Sequence, residues 1–295
     1  MEIIPNAEPV GAEIRGLDIG RGVSEDDFAA LRAALNEHGV VFARGQDITS
    51  QQILDLSARL GTIKPPRPET QFLVPGYPQL ERLSNILDAD GKHIGMVDAG
   101  QYWHSDRSYQ VVPNGYAVLY SMEIPRDAEG RPLGGTMFVS SGHAYDTLPQ
   151  ATKDRIENLT ALHSYLNPSQ KGSGPAYRSA TSEDIPPVSQ PVVRRHPVTG
   201  RKCLYVSEQY AYRIEQLPED ESRALLDTLC GHATRPEVRY THRWQEGDLL
   251  IWDDCALQHN AVADYRLPLR RMIVRTTVLG IQASGTERVA QAAVA

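Results

Sequence analysis

The sequence predicts a mainly β protein with flanking helices, built on a double-stranded β-helix (jelly-roll) core. Short apolar segments of strand length recur along the chain, separated by turns that use many of its 23 glycines and 20 prolines. Helical patterns are concentrated near the start and between groups of strands. No predicted strand leads into a GxGxxG or GxxxxGK[ST] phosphate loop, so a doubly wound α/β sheet is disfavoured.

Length and charge narrow the class of protein. The 295 residues, of which 41% are hydrophobic, suit a single globular domain over 1–295. A net charge of −7 argues against a general nucleic-acid-binding protein, because phosphate contacts need a basic face. The first residues lack the basic and apolar regions of a signal peptide, and no apolar run reaches the length of a membrane span. We therefore expect a cytoplasmic protein with no nucleic-acid or membrane partner.

Two helices near the start have clear signals at both ends. Ser24 is a capping residue for the first helix, and Gly39 stops it. Thr49 or Ser50 caps the second helix, which ends at Gly61. Two later helices each begin at a proline, Pro149 and Pro218.

Strands are predicted where short apolar or alternating runs are bounded by turn residues. These runs cover 10–19, 40–44, 116–124, 134–139, 159–166, 192–196, 202–206, 238–244, 249–253 and 270–279. The Ala-rich tail after them, 281–295, is expected to be frayed.

Two long segments, 64–101 and 167–190, are rich in turn residues and have little hydrophobic periodicity apart from a short strand candidate at 79–83. Loops of this length are uncommon in a compact domain unless they serve a functional site, so both are candidate active-site loops. A solvated surface loop is the alternative interpretation. Residues in or near the first segment are then candidates for substrate binding: Asn85, Tyr102 and Tyr109.

The segment Trp103-His104-Ser105-Asp106 contains a His and an Asp two positions apart. On an extended backbone these two side chains point to the same face, so both can reach one metal ion. An imidazole and a carboxylate suit a mid-row divalent metal, and two His with one carboxylate are typical of non-haem Fe(II) oxygenases. The alternative is a half-buried His hydrogen-bonded to a neighbouring Asp. A metal site therefore requires a second His from elsewhere in the chain.

His259 is the candidate for the third ligand, at the end of the strand that begins at Leu249. Arg270, Arg271 and Arg275 follow it in the last apolar strand. An arginine is costly to place in a strand that packs against a core unless an anion binds it. The pattern therefore indicates an anion-binding group after the distal His.

In this order the residues resemble the taurine dioxygenase and 2,4-dichlorophenoxyacetate dioxygenase family of Fe(II)- and 2-oxoglutarate-dependent oxygenases. The resemblance covers most of the chain. The matching segments are Trp103-His104-Ser105-Asp106, Gly134-Gly135-Thr136, the hairpin 196–206, Gly247-Asp248-Leu249 leading to Trp252-Asp253, and His259 through Arg275.

The resemblance implies Fe(II) as the metal, with 2-oxoglutarate and O₂ as co-substrates. It implies one set of metal ligands and catalytic residues: His104, Asp106 and His259. Because related halogenases replace the carboxylate by a small residue, Asp106 favours hydroxylation of a small-molecule substrate, with release of succinate and CO₂. Desaturation or another oxidation at the same site is the alternative. Relatives of this kind often form dimers or tetramers, so we expect a homo-oligomer.

The resemblance also implies a site for the far carboxylate of 2-oxoglutarate. Arg271 would bind this carboxylate through its planar guanidinium, and Thr136 would donate a hydrogen bond to it. The Gly pair lies one residue closer to Thr136 than is usual in the family. The interval from His259 to the arginine is one residue longer than is usual, which leaves Arg270 as the alternative to Arg271.

Arg275 lies four positions after Arg271, so on a strand the two side chains share a face. In family members with anionic substrates the matching arginine is near the substrate. The resemblance therefore favours a substrate that carries a carboxylate, a sulfonate or a similar anion. The alternative is that Arg275 is simply a partner for an Asp.

Two other classes of protein could use the same residues. A zinc-dependent hydrolase would activate water at the same three ligands, but it has no need for a carboxylate-binding arginine after the distal His. A catalytically silent jelly-roll binding module is the third class, and three intact ligands argue against it.

Overall fold

A computed structural model describes residues 1–66, 70–97, 100–167, 185–283 and 286–288 of the chain. The α-helices of this described part are α1 (Glu25–His38), α2 (Ser50–Leu60), α3 (Ser141–Asp146), α4 (Gln150–Ile156) and α5 (Glu219–Ala233). Its strands, in chain order, are β1 (Glu2–Pro5), β2 (Ala12–Arg15), β3 (Val40–Ala43), β4 (Leu73–Val74), β5 (Tyr77–Ser84), β6 (Asn114–Glu123), β7 (Thr136–Ser140), β8 (Thr160–His163), β9 (Val188–Pro191), β10 (Val193–Arg195), β11 (Lys202–Leu204), β12 (Ala211–Ile214), β13 (Tyr240–His242), β14 (Leu249–Asp253), β15 (Leu257–Ala261), β16 (Met272–Leu279) and β17 (Glu287–Arg288).

Two sheets share the central core. The larger has eight strands in the order β1-β2-β3-β14-β6-β16-β5-β4, and the smaller has the order β13-β7-β15. In the larger sheet, β2 and β3 are parallel and the other neighbours are antiparallel. Phe138 and Leu257 of the smaller sheet pack with Leu119, Leu250 and Trp252 of the larger one. This arrangement is the jelly-roll core that the sequence predicts, with further small sheets, β12-β8-β9-β17 and β10-β11, beside it.

The central strands are buried on both faces. In β14, Leu250 and Trp252 belong to the core between the sheets, whereas Leu249 and Ile251 pack with residues of α1 and α2. This alternation follows from the two-residue period of a strand. The two N-terminal helices therefore cover the outer face of the larger sheet and leave its inner face to the site.

The helix-end signals in the sequence are confirmed. The Ser24 side chain accepts a hydrogen bond from the backbone N–H of Asp27, and Gly39 ends α1 in a left-handed conformation with φ of 71°. Thr49 and Gln52 form a reciprocal capping box at the start of α2. None of the helices in the described residues combines the length and apolar character needed to span a membrane.

His259 lies in the middle of the separate strand β15, not at the end of β14 as the sequence suggests. A turn divides the two strands, because the backbone N–H groups of Cys255 and Ala256 donate to the side chain and the carbonyl of Asp253. The short strands β1 and β12 and the short helix α3 were not predicted either, since four to six residues give too little periodicity.

The segments expected to be loops or tail contain paired backbone. Within 64–101, β5 is eight residues long because it pairs with β16. Of 167–190, residues 168–184 lie outside the described residues, and β9 begins at Val188. In the tail, β17 pairs with β9 and the buried Thr286 hydroxyl donates to Gln190 Oε1 at 2.8 Å, so this part is docked rather than frayed. Residues 284, 285 and 289–295 of the predicted tail are not described.

Candidate metal centre and cavity

Backbone pairing brings two distant histidines together. His104 and His259 stand 155 positions apart in the sequence. Each donates its backbone N–H to the carbonyl oxygen of the other, at 3.1 and 2.8 Å. Residues paired in this way present their side chains on the same side of a sheet. Their ring centroids are accordingly only 4.1 Å apart.

Asp106 completes a group of three potential metal ligands. Its Oδ1 lies 3.3 Å from Nε2 of His104 and 3.9 Å from Nε2 of His259. Ligand atoms of the three buried residues all lie within 4.8 Å of one another. Ligands bound at about 2.1 Å on one face of an octahedral ion are about 3 Å apart. The spacing therefore suits a single ion with two nitrogen ligands and one oxygen ligand.

The hydrogen bonding and charge of the three side chains also suit metal binding. His104 Nδ1 lies 2.7 Å from the carbonyl oxygen of Tyr102 and donates its proton there, so Nε2 is the ring nitrogen that faces Asp106. Burial, and then the neighbouring His104, lower the pKa of His259 well below its usual value, so this ring is neutral. Burial alone would raise the pKa of Asp106, but contact with His104 and the charge of Arg275 hold it below its usual range. Neutral imidazoles and an ionised carboxylate are the metal-binding forms.

The three ligands open into a cavity of about 490 Å³. Four of the binding residues proposed from the sequence lie in its wall: Asn85, Thr136, Arg271 and Arg275. Part of the wall comes from the predicted loop 64–101, which contributes Met96 and Gly100 among others. The cavity therefore joins the candidate metal site to the candidate anion site.

Arg271 is buried, and its Nε has no hydrogen-bond partner among the described residues. Its backbone N–H donates to Asn85 Oδ1 at 2.9 Å, and Asn85 Nδ2 donates to the carbonyl of Leu269 at 2.8 Å. Asn85 therefore fixes the backbone from which the guanidinium extends. Because a buried charge is costly unless it is paired and hydrogen-bonded, the unsatisfied Nε indicates a place for an anion in the cavity.

Thr136 and Gly134 border the same place. The hydroxyl oxygen of Thr136 accepts a hydrogen bond from Trp244 Nε1 at 3.0 Å, which leaves its own proton to donate. Gly134 has φ of 70°, and a Cβ there would lie 2.9 Å from Cδ of Arg271 and 2.8 Å from the Tyr265 ring. The glycine is therefore needed both for its backbone conformation and for the space that Arg271 occupies.

Of the two adjacent arginines, only Arg271 lies in the cavity wall. The side chain of Arg270 is 54% exposed, and its Nε lies 3.2 Å from Oε1 of Glu123. Successive residues of an extended chain point to opposite faces, so the two side chains cannot share the cavity. Arg270, the alternative left open by the sequence, thus stands away from the candidate anion site.

Arg275 lines the cavity but is engaged by two carboxylates. Its Nη2 lies 2.7 Å from Oε2 of Glu81, and its Nη1 lies 3.4 Å from Oδ2 of Asp106. Lys64 Nζ lies 3.1 Å from the other oxygen of Glu81. The arrangement matches the alternative that Arg275 is a partner for an Asp.

The two tyrosines proposed as pocket residues lie outside the cavity wall. Tyr102 contributes its carbonyl oxygen, which accepts from His104. The chain turns after Asp106, and Tyr109 packs against Tyr165 and Tyr210 with ring centroids 5.0 and 4.8 Å away. This turn, in which Arg107 has φ of 57°, carries Tyr109 behind the histidines.

Some charged residues of the site are not recognisable in the sequence, and Arg266 and Glu81 are among them. Arg266 lines the cavity from the loop before Arg271, and Glu81 binds Arg275 from β5. Arg266 stands in an irregular segment with no motif. Glu81 could be found only from the register that places it opposite Arg275, which the sequence does not reveal.

Comparison with known proteins identifies the family of the chain. The model of the taurine catabolism dioxygenase TauD, TfdA family matches residues 2–277. An α-ketoglutarate-dependent 2,4-dichlorophenoxyacetate dioxygenase of Cupriavidus pinatubonensis is 31% identical over 280 residues, which are 91% of this chain and 94% of that protein. An α-ketoglutarate-dependent sulfate ester dioxygenase of Pseudomonas putida is 30% identical over 287 residues, 95% of this chain and 90% of that protein.

The fold has solved counterparts as well. The crystal structure of a taurine dioxygenase from Burkholderia xenovorans matches with a TM-score of 0.82 and 28% identity, covering 99% of this chain and 96% of the other. The chain therefore belongs to the TauD, TfdA family and is an α-ketoglutarate-dependent dioxygenase, as its sequence motifs predict.

Proposed function

We propose that this dioxygenase uses Fe(II), held by His104, Asp106 and His259, to hydroxylate a small anionic organic substrate, with release of succinate and CO₂. The proposal depends above all on one observation: three metal-binding side chains and a buried arginine with an unsatisfied Nε converge on one cavity. A zinc hydrolase would use the three metal-binding side chains but has no role for Arg271. A co-substrate that binds both a metal and a cation accounts for the three ligands and for Arg271.

The side chains present fit these groups. Two imidazole nitrogens and one carboxylate oxygen are ligands that Fe(II) accepts. Arg271 and Thr136 would hold the far carboxylate of 2-oxoglutarate, the first through its guanidinium and the second through its free hydroxyl proton. When bound, Fe(II) supplies the activation of O₂ that is coupled to the oxidative loss of CO₂ from 2-oxoglutarate.

The chain itself orients the reactants and keeps water away from them. Asn85 holds the backbone of Arg271, so the guanidinium meets the carboxylate in one orientation. The Tyr102 carbonyl fixes the ring of His104 in the same way. An apolar wall that includes Leu119 and Trp252 excludes water from the space beside the ligands.

The rest of the cavity suits a substrate with an apolar body and an anionic end. Leu83, Met96 and Val97 line one part of it. Arg266 also lines it, and no described residue forms an ion pair with this guanidinium. Because Arg275 is already engaged by two carboxylates, we assign the substrate anion to Arg266. The names of the two relatives above specify a chlorinated phenoxyacetate and a sulfate ester, which are molecules of this class.

Succinate formation tests the reaction. We expect Fe(II)-loaded protein with ascorbate to release succinate and CO₂ slowly from 2-oxoglutarate even without the true substrate, and the His104→Ala variant to release none. The oxygenase proposal is wrong if the Fe(II)-loaded wild-type protein forms no succinate with any substrate tested and the Zn²⁺-loaded protein hydrolyses esters.

The stimulation of succinate release tests the class of substrate. We expect 2,4-dichlorophenoxyacetate or hexyl sulfate to accelerate it, and the neutral 2-phenoxyethanol to have little effect. Arg266→Gln should raise the KM for the anionic compound about tenfold, since a hydrogen-bonded charge contributes about 1.5 kcal/mol, and should leave the KM for 2-oxoglutarate unchanged. Arg270→Gln is the matched control. Equal stimulation by charged and neutral compounds would contradict the assignment of an anionic substrate.

We also propose that the enzyme is a cytoplasmic homo-oligomer. Light scattering at micromolar concentration should give a mass of at least twice the 32.7 kDa of one chain. A monomer mass would overturn this part of the proposal and leave the chemistry untouched.

A further inference from the structure

A buried row of alternating charges runs from the surface of the larger sheet to the metal-binding carboxylate. Lys64 Nζ contacts Oε1 of Glu81 at 3.1 Å, and Glu81 Oε2 contacts Arg275 Nη2 at 2.7 Å. The other terminal nitrogen of Arg275 lies 3.4 Å from Oδ2 of Asp106. The four side chains are between 7% and 18% exposed. Solvent therefore screens these contacts weakly, and the pairing of β5 with β16 holds Glu81 and Arg275 in place.

The register of two strands places Glu81 opposite Arg275. The two residues are direct partners in the β5–β16 pair, so their side chains stand on the same face at the distance of cross-strand neighbours. Burial works against ionisation of Glu81, but Arg275 and Lys64 lower its pKa from 4.5 to about 2. Glu81 is therefore an anion at neutral pH and keeps Arg275 fixed between two carboxylates.

Arg275 would otherwise compete with the metal for Asp106. A guanidinium binds a carboxylate best when two parallel N–H groups meet both oxygens. Here Nη1 of Arg275 contacts Oδ2 of Asp106 at 3.4 Å, whereas Oδ1 faces the two histidines. The contact to Glu81 is 0.7 Å shorter than the contact to Asp106. Glu81 therefore binds the guanidinium more strongly than Asp106 does, and Oδ1 of Asp106 remains available to the metal.

The charges of the row also balance. Lys64 and Arg275 are cations, and Glu81 and Asp106 are anions, so the row adds no net charge beside a site that must accept a divalent cation. Without Glu81 the row would carry one extra positive charge, on a side chain in contact with a metal ligand. Both effects, competition and charge, would weaken the binding of a divalent metal.

We propose that Glu81 is a positioning residue for the metal site: by holding Arg275 across the sheet, it keeps Oδ1 of Asp106 available as a ligand. The inference rests on the proposed metal site at His104, Asp106 and His259. It extends that proposal to a residue outside the cavity wall, which acts only through Arg275. In this chain, Glu81 also engages an arginine of the cavity wall that could otherwise bind the anionic end of a substrate.

Titration of the metal-free protein with Mn(II), followed by the electron paramagnetic resonance signal of the free ion, tests the inference without measuring activity. Glu81→Gln should weaken Mn(II) binding about 10- to 100-fold, the range found when the hydrogen-bonded surroundings of a metal ligand are disturbed. Glu123→Gln is the matched control, because Glu123 also pairs with an arginine at this sheet but on its exposed side, and it should bind Mn(II) like the wild type.

A double variant tests whether Glu81 acts through Arg275. In an Arg275→Gln background, the further change Glu81→Gln should alter the Mn(II) dissociation constant less than about threefold. If circular dichroism shows that Glu81→Gln does not fold, Glu81→Asp replaces it. The Glu81→Asp protein should remain folded and should bind Mn(II) more weakly than the wild type, because its shorter side chain holds Arg275 less well.

Two results would overturn the inference. One is that a folded Glu81 variant binds Mn(II) as tightly as the wild type. The other is that Glu81→Gln lowers the Mn(II) affinity equally in the wild-type and Arg275→Gln backgrounds. A wild-type protein that binds no Mn(II) would instead refute the metal site itself, so the two failures are distinguishable.

Discussion

Arg270 and Arg271 carry the same side chain at adjacent positions, and their surroundings give them different roles. Arg270 is half exposed and pairs with Glu123. Arg271 is buried in the cavity wall, its backbone is held by Asn85, and its Nε has no hydrogen-bond partner in the described part of the chain. Burial lowers the pKa of Arg271, but a guanidinium stays protonated at neutral pH, so Arg271 meets the cavity as a cation.

Replacing Arg271 by Gln should weaken the binding of 2-oxoglutarate roughly 10- to 150-fold, because hydrogen bonds to a charged group contribute about 1.5 to 3 kcal/mol. Calorimetric titration of Mn(II)-loaded protein measures the change. Arg270→Gln, one position away, should stay within about twofold of the wild type, since exposed ion pairs contribute little. If the two variants lose affinity equally, Arg271 is not the residue that holds the co-substrate.

The sequence predicts the residues whose spacing is local or matches a family motif. His104 and Asp106 are recognisable because side chains two positions apart on a strand point to the same face. Arg271 is recognisable because it follows His259 in the order of the family motif. Arg266 and Glu81 are not recognisable. Their roles arise from a loop conformation and from a strand register, and neither leaves a pattern in the neighbouring residues.

At the scale of elements, the turn before β7 shapes the co-substrate site. Gly134 has positive φ, its N–H donates to Asp264 Oδ1 at 2.7 Å, and a Cβ would press on Arg271 and Tyr265. Gly130, earlier in the same connection, has φ of 78°, and no described atom lies within 4 Å of the place that a Cβ would take. A substitution at Gly130 therefore isolates the effect of backbone strain.

Changing either glycine to Ala should lower the melting temperature, because each substitution forces an L-residue into left-handed backbone at a cost of about 1 kcal/mol. Only Gly134→Ala should also displace Arg271, and we expect it to weaken 2-oxoglutarate binding at least about tenfold. Calorimetry on both variants separates the two effects. Unchanged co-substrate affinity in a folded Gly134→Ala protein would contradict the role given to this glycine.

Elements with clear boundaries were predicted well, and elements defined by tertiary pairing were not. Capping residues mark α1 and α2, and continuous apolar runs mark β3 and β14. By contrast, the sequence does not separate β15 from β14, because the turn between them depends on hydrogen bonds to Asp253 that a hydrophobic pattern does not show. The docking of Thr286 on Gln190 likewise depends on a contact between distant residues.

For the whole molecule, the buried pair of Glu81 and Arg275 predicts a pH dependence of stability. The pKa of Glu81 is lowered from 4.5 to about 2 in the folded protein, so the unfolded chain binds more protons between these values. The stabilisation is therefore fully present above about pH 4.5 and is lost as the pH falls towards 2, and it amounts to about 3 kcal/mol.

Urea unfolding of metal-free wild-type and Glu81→Gln protein across this pH range measures the effect. The free energy of unfolding of the wild type should fall more steeply with acid than that of the variant, and the two curves should approach each other near pH 2. Parallel curves would mean that Glu81 is not ionised in a buried pair.

We propose that one cavity of the molecule binds a metal and 2-oxoglutarate through separate side chains. Calorimetric titration of the metal-free protein, first with Mn(II) and then with 2-oxoglutarate, measures both binding steps. We expect one Mn(II) to bind per chain and 2-oxoglutarate to bind tightly only afterwards. His104→Ala should abolish both steps, and Arg271→Gln should weaken only the second. If 2-oxoglutarate binds equally well without metal, or if His104→Ala keeps both steps, the cavity does not bind metal and co-substrate together.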